Sequence, residues 1–144
     1  MIELQEYRKY WERVALRCQT ITGILPVAVD KDMGKKIQAL PTGSVTLFVL
    51  PPGAESESRN LDAFKEMNTC VVFVMEKYDP QRKTAFATLE SSQKAIEELK
   101  RVMIDDMAAG CPLMRFDLRT LNTLPETEFF ANFAGWSIGF KIIT

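Results

Sequence analysis

Two kinds of hydrophobic spacing divide the chain into elements. The run Cys70-Val71-Val72-Phe73-Val74-Met75 is continuously apolar between Asn68-Thr69 and Glu76-Lys77, which predicts a strand buried on both faces and central in its sheet. Ser44 to Leu50, after the break at Pro41-Thr42-Gly43, is a second such run and should pair with the first. Helical spacing governs Thr84 to Ala109: Phe86, Leu89, Ile96, Leu99, Met103 and Met107 share one face, interrupted only by Gln93. The opposite face carries Glu90, Lys94, Glu97, Glu98, Lys100 and Arg101, with Glu90/Lys94 and Glu97/Arg101 four apart in the favourable order for ion pairs. Gly110 and Pro112 end that helix. An earlier helix is predicted from about Ile2 to Thr20, where Leu4, Tyr7, Trp11, Val14, Cys18 and Ile21 alternate by three and four, and Gly23 closes it.

The remaining segments are less periodic. Ile24 to Val29 reads as a short edge strand, Asp30-Lys31-Asp32-Met33-Gly34 as a turn, and Lys36 to Leu40 as the start of the next strand. Pro51 to Asn68 reads as an exposed polar loop in which Leu61, Phe64 and Met67 form one or two helical turns. A connection that long is more often functional than idle, so it is the first place to seek a partner contact. Leu113 to Leu124 alternates, with Phe116, Leu118 and Leu121 inward, and predicts a strand with one wet face. Pro125 to Glu128 reads as a turn or bulge and Phe129 to Ala134 as an aromatic-rich connection. Trp136 to Ile143 closes the series as a strand with Trp136, Ile138, Phe140 and Ile142 on one face. The string predicts a single α+β domain over residues 1-144: a four- to five-stranded, mostly antiparallel sheet with two helices packed on one face.

Composition narrows the partners. The 18 basic and 19 acidic residues are interspersed, so no polyanion-binding field forms and nucleic acid is not expected as a partner. The opening Met-Ile-Glu-Leu-Gln-Glu-Tyr has neither a basic nor an apolar secretion-signal region, and no apolar run reaches the roughly 20 residues of a membrane helix. A soluble, cytoplasmic protein without membrane contact is expected. The 3 cysteines, Cys18, Cys70 and Cys111, lie far apart and read as small core hydrophobes.

Candidate chemistry fails at each motif. Gly135-Trp136-Ser137-Ile138-Gly139 matches the G-x-S-x-G nucleophile elbow, yet the chain has 0 histidines to act as base. The two glycines read instead as small residues easing a strand past neighbouring backbone. Asp30 to Gly34 has the opening rhythm of a calcium loop, but Pro41 stands where the closing glutamate belongs. Adjacent Asp105 and Asp106 point in different directions around the helix and cannot face each other as an acid/base pair; Asp105 can reach Arg101, and Asp106 has no evident partner. No catalytic, cofactor or metal residue is nominated, and an enzyme is not expected.

The order of elements resembles the tail-terminator and tail-completion proteins of long-tailed phages and prophages. The matching parts are an N-terminal helix, a hairpin of buried strands (Ser44 to Leu50 and Thr69 to Met75), a helix (Thr84 to Ala109) and a closing strand pair (Phe116 to Leu124 and Trp136 to Ile143). The resemblance implies a structural protein assembling as a ring, commonly hexameric, that meets other tail or connector proteins and is associated with the virion. By that analogy the hairpin loop, with Arg59, Asn60, Asp62, Phe64 and Lys65, would make subunit or tube contacts. The alternative is a small ligand-binding or regulatory module of ferredoxin-like type, with a pocket lined by Tyr7, Trp11 or Trp136.

Overall fold

A computed structural model of the chain describes residues 1–28 and 32–144. Helix α1, Leu4–Arg17, starts at Glu3, whose carboxylate accepts from the Gln5 and Glu6 amides. It ends at Cys18, earlier than predicted, and Gly23 opens the first strand instead of closing the helix. Strand β1, Gly23–Pro26, is followed by α2, Met33–Gln38, then β2, Val45–Val49, and β3, Gly53–Ser56. The central strand β4 spans Glu66–Lys77 and leads into α3, Ala85–Ala108, whose N-cap Thr84 accepts from the Ala87 amide. Strands β5, Asn122–Glu126, and β6, Phe133–Ile143, complete the sheet.

The architecture is α+β, as the spacing predicts, with six strands among the described residues rather than four or five. Strand order is β1-β2-β4-β6-β5, with β3 also paired to β4. Only β1 and β2 are parallel; the other pairings are antiparallel. Strand β4 pairs with β6 from Met67 opposite Ile143 to Lys77 opposite Phe133. On its other edge it pairs first with β3 and then with β2. Between the pairs Val49/Val72 and Gly53/Thr69 the β2–β3 side advances four residues and β4 three, so one residue bulges out at Leu50-Pro51-Pro52. Proline has no amide hydrogen to donate to a ladder, and two in succession favour a break there.

Side chains alternate between two cores. Leu47, Val72, Val74, Ile138 and Phe140 meet α1 and α3 on one face, where Trp11 and Leu99 are fully buried. Phe48, Phe73, Met75 and Phe133 point to the other face, under Ile37 of α2 and the rings of Phe129 and Phe130. That second face is therefore partly covered by the chain itself.

Several expectations are corrected. Lys36 to Leu40 is not a strand: Met33 and Ile37 are one helical turn apart, and both reach the second core from α2. Within Pro51 to Asn68 no helical turn forms; Gly53–Ser56 and Glu66 to Asn68 are taken up into strands, and Met67 pairs with Glu55. Leu113 to Leu121 is not a strand, because Pro112–Met114 and Leu118–Thr120 are 3-10 turns. The Asp117 carboxylate accepts from the Arg119 amide and guanidinium, and this side-chain competition draws the backbone out of extended geometry. Leu118 faces solvent, and Phe116 alone bridges to Ile142. Pro125 and Glu126 belong to β5 rather than to a turn. On α3, Phe86 is exposed, while Thr88, Ser92 and Ala95 form the buried face with Ile96, Leu99 and Met103. The Glu97 carboxylate pairs with Lys100 instead of Arg101. The predicted turn at Asp30 to Gly34 and the end of the first strand at Val29 fall partly outside the described residues; Met33 and Gly34 are helical.

The two glycines of the G-x-S-x-G match differ. A Cβ on Gly135 would overlap the Val74 carbonyl oxygen and come within 2.8 Å of Met75 Cα, whereas the nearest atom at Gly139 is 3.9 Å away. Gly135→Ala should therefore cost about 3 kcal/mol, because only backbone stands in the way, and Gly139→Ala less than about 1 kcal/mol. Urea unfolding of the two variants measures the contrast, and equal losses would contradict this account of Gly135.

Candidate functional site

Two features at one end of the sheet stand out. The first is the hairpin tip at residues 57–65 between β3 and β4. Its ends are closed by the Glu57 amide donating to the Lys65 carbonyl (2.8 Å) and the Lys65 amide donating to Ser58 Oγ (2.6 Å). Asn60 Oδ1 accepts from the amides of Asp62 and Ala63, each 3.1 Å away, which turns the chain at the tip. Backbone amides of the turn are thus satisfied internally while the large apolar side chains are turned out: Leu61 is 98% and Phe64 65% exposed. Arg59, Asn60, Asp62, Phe64 and Lys65, the residues nominated from sequence, all lie on this tip and are exposed.

The second feature is a cleft of about 470 Å³ between the first turns of α1 and the C-terminal ends of β1 and β2. Leu4, Tyr7, Val27, Val49, Leu50 and Pro51 make its walls largely apolar, and among the described residues Arg8 is its one lining charge. Of the three aromatic residues expected to line a pocket, only Tyr7 does so. Trp11 packs edge-on between Tyr7 and Tyr10, and the Trp136 indole donates to the Leu89 carbonyl at 3.1 Å. The Tyr7 hydroxyl is buried beside Cys70 and Trp11 without completing a hydrogen bond. Burial, and then the nearby Cys70, raise its pKa well above the ordinary phenol value.

The polar clusters are structural ties. Glu76 accepts from Lys83 Nζ at 2.6 Å and from Ser91 Oγ at 2.9 Å, and Lys83 also donates to Ser91 at 2.7 Å. With the lysine occupied by the carboxylate, Ser91 has no free base, and the group anchors the start of α3 to the end of β4. Ser137, the serine of the elbow-like motif, lies mid-strand and donates to Glu126 at 2.9 Å, so the strand-to-helix turn an elbow requires is absent there. Burial pushes the thiols of Cys18 and Cys70 up to about 11, which keeps both as neutral core groups.

Asp106 has a partner that spacing along one helix does not reveal. Arg17 forks onto it with two bonds of 2.9 Å, and the Tyr10 hydroxyl donates to it at 2.7 Å, joining α1 to α3. Burial disfavours its charged form, but the bonds from Arg17 and Tyr10 outweigh this and hold the pKa below the usual carboxylate value. Sequence reading missed this bridge and, apart from Tyr7, the residues that line the cleft, since each joins segments far apart in the chain.

No protein-family model and no curated protein matches the sequence. Among the described residues no helix is long and apolar enough to cross a membrane.

A depressed folded-state pKa makes the Asp106 contribution fully present above the unfolded pKa near 4, and it is lost as pH falls through the folded value. Asp106→Asn should cost about 1 kcal/mol at neutral pH, a figure reduced for the half-exposed Arg17. The variant should also flatten the decline in stability on acidification below about pH 4. Urea midpoints across that range check both, and parallel curves for the two proteins would contradict the assignment.

Proposed function

We propose that the chain is a non-enzymatic assembly protein of phage-tail type that self-associates as a ring and meets other tail or connector proteins. The reading is carried by the hairpin tip: an internally hydrogen-bonded turn that projects Leu61 and Phe64 into solvent. Large apolar side chains held outward on an ordered turn lose little conformational freedom on docking, which suits them to anchor a protein contact. The order of elements along the chain supports the same reading. A second reading, a small ligand-binding module, is favoured by the apolar cleft, whose volume is in the range of small-molecule sites.

Light scattering after size exclusion, over a range of concentrations, tests the first reading. A discrete multimer is the expected outcome. A strict monomer at every concentration would overturn ring formation and move the ligand-binding module forward.

A further inference from the structure

The tip and the cleft are chemical complements. The tip presents Leu61-Asp62-Ala63-Phe64, two large apolar side chains flanking an acid and a small residue, and among the described residues the Asp62 carboxylate has no ion-pair partner. The cleft presents apolar walls from α1, β1 and the β2–β3 link, with Arg8 as the one lining charge among the described residues. Arg8 is held only loosely by Glu12, at 3.4 Å on an exposed helix surface. Its volume of about 470 Å³ has room for two large side chains.

We infer that the occupant of the cleft is the hairpin tip of a second copy of this chain, with Leu61 and Phe64 inserted between α1 and the β2–β3 link and Asp62 meeting Arg8. This rests on the self-association proposed above and names the surfaces that carry it. The two surfaces differ, so the contact is heterologous: each copy gives its tip to one neighbour and its cleft to another, and the series closes as a ring when the rotation per copy divides a full turn. The apolar pair supplies affinity at the centre of the contact, and the Asp62–Arg8 pair sets its register. The cleft and the tip are then two halves of one site, which removes the need for a small ligand.

Complementation between two surface variants tests the pairing. Leu61→Asp with Phe64→Asp spoils the tip and leaves the cleft intact; Ala28→Trp, at an exposed cleft position, fills the cleft and leaves the tip intact. Circular dichroism and the urea midpoint confirm that both variants fold. Each alone should lose self-association by at least about 30-fold, and an equimolar mixture should form a one-to-one heterodimer through its single intact contact. A wild-type multimer whose assembly either variant leaves unchanged would overturn the tip-and-cleft contact while leaving ring formation standing. Loss of assembly in both variants without heterodimer formation would overturn the pairing of these two surfaces with each other. A monomeric wild-type protein would overturn both proposals together.

Discussion

Strand β4 is the member on which the others depend. It hydrogen-bonds to β6 along one edge and to β3 and β2 along the other. Its register places Cys70, Val72 and Val74 under the two long helices, and Phe73 and Met75 in the second core. A slip by one residue would exchange these sets and expose both cores at once. Gly135 belongs to the same constraint, because β6 comes so close to β4 opposite Met75 that no side chain fits between them. Asn68, fully buried near the start of β4, joins the pieces there: its carbonyl accepts from the Ile2 amide and its amide donates to the Ile142 carbonyl.

Around that strand, apolar burial supplies the main stabilisation, and polar ties fix positions. Arg17–Asp106–Tyr10 joins the two helices, Glu98 accepts from Thr20 after α1, and Glu76–Lys83–Ser91 holds the start of α3. Lys77 closes α2 by donating to the carbonyls of Gln38 and Leu40. These groups take up the titratable clusters inside the domain. Among the features left outward are an apolar tip beyond β3 and an apolar cleft beside the proline break that ends β2.

Legibility in the sequence follows the range of the interactions. Val71 to Met75, Trp136 to Ile143 and the long helix declare themselves by period, and the α+β class follows from their order. Residues 113–121 alternate like a strand but are governed by Asp117, whose local hydrogen bonds periodicity does not count. Phe86 looked inward because large apolar residues weigh most in a pattern, whereas the helix meets the sheet through Thr88, Ser92 and Ala95. Exposure of residues 57–65 was legible because the connection is long and polar, but the outward Leu61 and Phe64 were read into helical turns that do not form. The cleft was not legible: its walls come from α1, β1 and the β2–β3 link, and nothing in any one segment announces a concavity.

The proposed assembly turns on one contact, the apolar tip of one copy in the apolar cleft of the next. Photo-crosslinking from a probe at position 61, in a mixture of isotopically light and heavy protein, tests it most directly. Mixed-isotope links from the tip to peptides carrying Leu4 to Arg8 or Leu50-Pro51 are expected. Links confined to a single copy, or to peptides remote from the cleft, would contradict it.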